Sequence, residues 1–318
     1  MEIIGELTDR GFFRVAVLDG GVCGVESRRL ILAFWRYAAA MQEDSREAVI
    51  HPYYPASQEA WRAAEDCCRA FEEAGISLRR DGETRLKRIL NRLPFLSLGR
   101  NTLSYLPEEG SRFHVEAFVS EEPFPITDQP EEAAHGFHCG SCRRCLEACP
   151  TGAITEDGFE KKKCLRWWML NGRFPPEEIR REMGSRLLGC DVCEACCPHN
   201  PPPVGRPVTA PLRELITGEG IPALIPLVGK NYAIPNRVRT QACVLAECLG
   251  RKDLRAEIRD LAESTRSEAV RLAAESALRR LEEEAERGEE RGSYQTDVSG
   301  EAGAAVRRDG SHLPGAVL

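Results

Sequence analysis

Nine of the fourteen cysteines of this chain fall between positions 139 and 197, and eight of them keep the spacing of metal ligands. That crowding constrains the fold more than any other feature. A disulfide scaffold spreads its cysteines through a small secreted domain. Thiols packed two or three residues apart point instead to a loop wrapped around metal. The other five (Cys23, Cys67, Cys68, Cys243 and Cys248) are scattered and read as core thiols. With 43 Lys+Arg against 50 Asp+Glu over 318 residues, the chain is mildly acidic, which excludes a polycation. No apolar run reaches the roughly 18–20 residues of a membrane span, and the opening Met1-Glu-Ile-Ile-Gly-Glu lacks the basic start of a secretory signal. The expectation is a cytoplasmic protein with no membrane partner.

The first run, Cys139-Gly-Ser-Cys142-Arg-Arg-Cys145-Leu-Glu-Ala-Cys149-Pro, has the C-x2-C-x2-C-x3-C-P form of bacterial ferredoxins. Three thiolates on a tight loop hold one cubane, and the fourth, a helical turn further on, serves another. The second run, Cys190-Asp-Val-Cys193-Glu-Ala-Cys196-Cys197-Pro, repeats that logic in modified form. The count then predicts two [4Fe–4S] clusters: Cys139, Cys142, Cys145 and Cys197 around the first, Cys149, Cys190 and Cys193 around the second. The missing thiolate is Cys164 or Cys196. Cys164 is the better placed, because Cys196 adjoins a residue committed to the opposite cluster. The neighbouring Trp167 and Trp168 are large enough to shield a cluster from water and so to influence its potential. Paired zinc sites are the other reading of C-x2-C pairs, but a four-cysteine run with a recurring proline suits iron–sulfur better. His135 and His138 flank the first run and have donors that suit cluster sulfur.

The rest of the chain reads as α+β. Residues 1–134 form a mixed α/β domain: a strand over Phe12–Leu18, a helix over Arg28–Met41, a strand over Ala48–Tyr54, a helix over Ser57–Ala74 capped by Ser57, and a strand over Arg112–Ser120. Residues 135–205 form a ferredoxin-like double-cluster domain. Over 206–286 a weak repeat at an offset of 32 pairs Val238 with Val270, Ala242 with Ala274 and Leu245 with Ala277, which predicts HEAT-like helices. A simple three-helix bundle is the alternative. Residues 287–318, rich in Gly, Glu and Ser, read as a disordered tail.

No Gly-x-Ser-x-Gly, dinucleotide-binding or phosphate-loop motif occurs. Residues 159–186 carry eight basic side chains against four acidic ones, a local excess suited to phosphates or to solvent.

The stretch from Cys139 to Asn200 resembles the iron–sulfur module of epoxyqueuosine reductase in Cys-Gly-Ser-Cys…Cys-Pro-Thr-Gly-Ala-Ile, the isolated Cys164, and Gly189-Cys-Asp-Val-Cys…Cys-Pro-His-Asn. Upstream, Leu98-Gly-Arg-Asn-Thr-Leu103 is similar to that family's Gly-Lys-Asn-Thr-Leu segment, and Ser111–Ser120 to its following strand. The resemblance implies that Cys164 completes the second cluster and that HEAT-like helices follow. It also implies a cobalamin between the N-terminal domain and the clusters, passing electrons to an epoxide on the wobble base of certain transfer RNAs. No Asp-x-His-x-x-Gly occurs, so no histidine of that type would ligate cobalt. Gly99, Arg100 and Asn101 become the candidate corrin-holding turn, the glycine allowing close approach and the side chains offering donors. Asp81, in Arg80-Asp81-Gly-Glu-Thr-Arg, is the nearest equivalent of the family's acid, one residue out of register and without its proline. The implied partners are tRNA and an electron donor, either a flavodoxin or ferredoxin or a small reductant. A ferredoxin-type electron carrier without cobalamin is the alternative.

Overall fold

The computed structural model describes residues 2–37, 46–107, 109–133 and 139–297. It is a mixed α+β chain with eleven short strands among the described residues: β1 (Arg14–Asp19), β2 (Arg29–Arg36), β3 (Ala48–Ile50), β4 (Arg79–Arg80), β5 (Ser97–Leu98), β6 (Ser104–Tyr105), β7 (Phe113–Ser120), β8 (Ile154–Thr155), β9 (Gly158–Phe159), β10 (Arg186–Leu188) and β11 (Val208–Ala210). The main sheet runs β1-β2-β7-β4, antiparallel throughout. A second sheet runs β10-β3-β11, and β5-β6 and β8-β9 are two-stranded ribbons.

The helix expected over Arg28–Met41 is instead the central strand β2; residues 38–41 lie outside the described residues. Its residues explain the error. Ile31 and Ala33 face a core with Leu7, Phe12, Ala60, Cys67 and Phe71, while Leu30, Leu32 and Phe34 face another with Leu90, Leu93 and Leu96. A strand covered on both faces is apolar at every position, so period 2 vanishes from its sequence. On β7 the predicted strand is present, in register from Arg36↔Phe113 to Arg29↔Ser120.

The long helix Tyr53–Glu73 buries Tyr54, Ala56, Ala60, Ala64, Cys67 and Phe71, a stripe at three- and four-residue spacing. Ser57 does not cap it: its hydroxyl donates to the Tyr54 carbonyl inside the first turn (2.8 Å). The helix starts four residues earlier because the His51 ring accepts from the Tyr53 amide through Nδ1 (3.1 Å) and the His51 carbonyl accepts from the Tyr54 amide (3.0 Å). An imidazole thus does the work of a cap.

C-terminal to the cysteines come helices Leu212–Thr217, Ile221–Val228, Pro235–Cys248, Arg255–Ser264 and Glu268–Asp297. Val238, Ala242 and Leu245, and their offset partners Val270, Ala274 and Ala277, are all buried in one core. That core also takes in Ile50 and Tyr54 from the N-terminal region and Leu165, Met169 and Leu187 from among the cysteines. The last helix continues to Asp297, past the expected tail boundary at 287. Its Glu-, Arg- and Ala-rich sequence favours helix, and Gly288 and Gly292 cost only about 1 kcal/mol each. Residues 298–318 lie outside the described residues. Among the described residues, no helix is long and apolar enough to cross a membrane.

Candidate metal centre

All fourteen cysteines carry free thiols. Those of the two runs are set by short local turns. The Cys142 amide donates to the Cys139 carbonyl (3.0 Å), and helix Arg144–Ala148 carries Cys145. Cys149 ends that helix in extended conformation; its sulfur accepts from the Ala153 amide (3.2 Å). In the second run, helix Val192–Ala195 carries Cys193, and the Cys197 amide bonds back to the Glu194 carbonyl (3.2 Å). Gly189, just ahead of Cys190, has φ of +84°, and a Cβ there would lie 2.5 Å from that of His51 and 2.9 Å from the Tyr54 ring. The glycine lets the second run press against the N-terminal helix.

The thiols collect into two groups. Cys139, Cys142, Cys145 and Cys197 line one cavity, with Tyr105 and His199 on its wall. Burial first, then the neighbouring Cys196, Cys139 and Cys197, push the Cys145 thiol up to about 11. The other group centres on Cys193, raised well above the ordinary thiol range by burial and then by Cys190, Glu194, Cys164 and Cys149. Burial pushes Cys190 up to about 11, with Cys164 adding to the rise. Cys196 lies with the first group, where Cys197 and Cys142 raise its pKa after burial, and its thiol points to the Cys193 carbonyl (3.7 Å).

Thiols held this close resist ionisation until a cation compensates their mutual repulsion. Among the described residues, no three His, Cys, Asp or Glu side chains converge on a point for a single ion. Thiols in the C-x2-C-x2-C-x3-C-P order, with a second cysteine run beside them, suit multi-iron cubanes better than one tetrahedral zinc. The donor set fits iron–sulfur clusters.

Cys164 stands at the start of helix Leu165–Asn171, whose Leu165 and Met169 enter the main core. Trp167 and Trp168 follow, partly buried and edge to face at 4.8 Å, with the Trp168 indole donating to the Lys162 carbonyl (2.6 Å). Of the eight basic residues in this region, Arg180 and Arg186 are buried. Arg180 bonds the Pro175 carbonyl (2.9 Å) and Ser276 (3.1 Å), and Arg166 lies over the Tyr53 ring (4.8 Å). The local positive excess is therefore partly core structure, while Lys161–Lys163 stay exposed. His135 and His138 lie outside the described residues.

The Gly99–Asn101 turn meets the cysteines directly. The Arg100 amide donates to Cys139 Sγ (3.4 Å), and its guanidinium reaches the Gly140 carbonyl (3.0 Å) and Glu156 (3.1 Å). Asn101 Nδ2 donates to the Cys193 carbonyl (3.1 Å), while its Oδ1 accepts from the Leu103 amide (3.2 Å). A Cβ on Gly99 would fall 2.5 Å from that Oδ1, so the glycine serves the turn's own closure. The Arg100 amide, its Nη1 and Nη2, and Asn101 Nδ2 are thus engaged within the protein, while Arg100 Nε is buried with no partner among the described residues. Asp81 follows the edge strand β4, its amide bonding the Ala117 carbonyl (2.8 Å) and its Oδ1 accepting from the Glu83 amide (3.0 Å). Its Oδ2 is buried with no partner among the described residues.

Two features escaped the sequence reading. Tyr105 and His199 stack at the first cavity (centroids 4.3 Å, 24° between planes). Beside the second group, buried Glu194 accepts from Tyr37 (2.9 Å) and Arg112 (3.1 Å). His51 Nε2 comes within 3.8 Å of the same carboxylate. Burial, then Arg166 and Arg112, lower the His51 pKa to about 3, so the ring is neutral and the approach is not an ion pair. Residues this far apart in sequence leave no local signal.

Residues 138–200 match the family model for a 4Fe-4S double cluster binding domain. The chain is 40% identical to the epoxyqueuosine reductase of Bacillus anthracis over 103 residues, 32% of this chain and 26% of that protein. It is 36% identical to that of Bacillus subtilis over 106 residues, 25% of that protein. The matched stretch thus spans about a quarter of these relatives' length. In three dimensions the likeness is wider. An epoxyqueuosine reductase with a tRNA-Tyr epoxyqueuosine-modified stem loop superposes with a TM-score of 0.63 at 16% identity, over 88% of this chain and 98% of that one. The enzyme from Streptococcus thermophilus does so at 0.67 and 15%, over 88% and 89%. Around residues 138–200, a 4Fe–4S double-cluster domain, the chain takes the fold of the epoxyqueuosine reductases and is their relative in sequence.

Proposed function

We propose that the chain is an iron–sulfur oxidoreductase of the epoxyqueuosine reductase type, with Cys139, Cys142, Cys145 and Cys197 holding one [4Fe–4S] cluster and Cys149, Cys164, Cys190 and Cys193 the other. The observation that carries this reading is the interleaving of the two runs: Cys197 joins the first group and Cys149 the second. When bound, the clusters supply one-electron storage and relay. The chain's own residues hold the thiols in place, the first group beside Tyr105, His199 and the Gly99–Asn101 turn and the second against the main core. The relatives' activity suggests the substrate, an epoxide on a modified tRNA wobble base or a related compound. A base splayed from its loop is reachable by a pocket, and two electrons with two protons convert an epoxide to an alkene and water. A flavodoxin, a ferredoxin or a small reductant would refill the clusters, and HEAT-like packing of the C-terminal helices would offer the nucleic acid a surface.

The resemblance implies cobalamin as the acceptor, and most donors of the Gly99–Asn101 turn are already engaged within the protein, Arg100 Nε excepted. That engagement favours a second reading, an electron carrier that docks a redox partner and binds no corrin. Anaerobic reconstitution should yield about eight irons and eight sulfides per chain; stoichiometric zinc would overturn the cluster reading. Reconstituted protein is then offered cobalamin, reductant and an epoxyqueuosine-modified stem loop. Queuosine formed only with cobalamin supports the reductase reading. With full iron, no visible change on adding cobalamin and no product select the carrier.

A further inference from the structure

The Gly99–Thr102 turn stands between the two thiol groups. It is closed by the Thr102 amide donating to the Gly99 carbonyl (2.8 Å), with Thr102 at φ of 64°, a region non-glycine residues seldom occupy. From this turn one amide reaches Cys139 Sγ and one side chain reaches the carbonyl of Cys193. The contact to Cys149 sulfur comes from Ala153, within the cysteine segment itself. The contact to Cys139 comes from 39 residues up the chain. The Arg100 guanidinium is met by the Glu156 carboxylate, which leaves the backbone dipole as the part of Arg100 that acts on sulfur.

We propose that Arg100 is a positioning residue whose backbone N–H raises the reduction potential of the first cluster. The proposal rests on the ligand reading above. An added electron increases the negative charge shared by iron and thiolate, and an N–H aimed at the sulfur stabilises that form over the oxidised one. Because the donor belongs to the N-terminal segment, the potential depends on that segment being docked.

Arg100 is the second residue of a four-residue turn, where the fixed φ of proline fits. Arg100→Pro therefore removes the N–H and keeps the turn, whereas Arg100→Ala removes the guanidinium and keeps the N–H. Potentiometric titration of the reconstituted full chain, followed by electron paramagnetic resonance, reads both clusters. In Arg100→Pro one of the two steps should move down by about tenfold in the ratio of reduced to oxidised cluster, ~59 mV for one electron. The other step should stay, and Arg100→Ala should move neither. Equal shifts in the two variants, or none in Arg100→Pro with full iron, would overturn the proposal. If Arg100→Pro takes up too little iron, Gly99→Ala decides, since its Cβ would meet Asn101 Oδ1 at 2.5 Å and displace the turn. A downward shift supports the proposal and an unmoved midpoint overturns it. A shortfall of iron in the unaltered chain would break the ligand reading instead.

Discussion

The two thiol groups share a motif and differ in what surrounds them. The first is surrounded by a turn, a stacked Tyr105–His199 pair and Pro198. The second is anchored in the main core: Cys190 packs against it directly, and Cys164 leads into Leu165 and Met169. Its floor is a buried polar set of Tyr37, Arg112 and Glu194, whose carboxyl burial pushes up. The contrast separates two settings that one ligand pattern can occupy. The first group stands among turn and loop residues, whereas the second is tied into the core, so its cysteines should matter more to stability.

The largest test of that contrast removes one ligand from each group. Cys190→Ser should halve the iron and lower stability by on the order of 3–4 kcal/mol, the range reached when core packing or a metal is lost. Cys139→Ser should lose similar iron with a clearly smaller loss of stability in anaerobic urea unfolding. Equal destabilisation would dissolve the distinction. Next in size is the fourth ligand of the second group. Cys164→Ser should lose or degrade one cluster, while Cys196→Ser, altering a thiol that sits with the first group, should keep nearly all its iron; the reverse pattern would reassign the site. The last test is of pH. His51 is neutral in the fold, with a pKa of about 3 against an ordinary 6.5. The unfolded chain therefore takes up a proton that the folded chain refuses as pH falls from 6.5 towards 3. Stability should drop over that window by up to about 1.4 kcal/mol per pH unit from this ring, and His51→Gln should flatten the slope. An unchanged slope would mean that other groups dominate acid sensitivity.

The two cysteine runs were legible because their logic is local: spacings of three and four residues decide which thiols share a loop. The strand β7 was legible for a similar reason. β2 was not, since burial on both faces erased its alternation. The start of the Tyr53–Glu73 helix was missed because its cap is an imidazole outside the usual cap residues. The Gly99–Asn101 turn was picked out as a feature of the site, but its contact with Cys139 joins residues 39 apart, which no spacing within the turn encodes. Buried Glu194 reads as an ordinary polar residue until its partners, from other segments, are in place.

The three-stranded sheet carries a consequence for how this chain can be handled and assembled. β3 comes from the N-terminal region, and it pairs in parallel with β10, which ends just before the second cysteine run, and antiparallel with β11, which opens the C-terminal helices. Each of the three segments contributes one strand, so none completes the sheet alone. Cutting out residues 139–200 as a miniature ferredoxin would strip β10 of its neighbour and expose Leu187 and Leu188 to water. A protease nick in the exposed 201–206 stretch should leave the fragments bound to each other. During synthesis the sheet is complete only after Ala210 has emerged, so its closure joins distant parts of the chain.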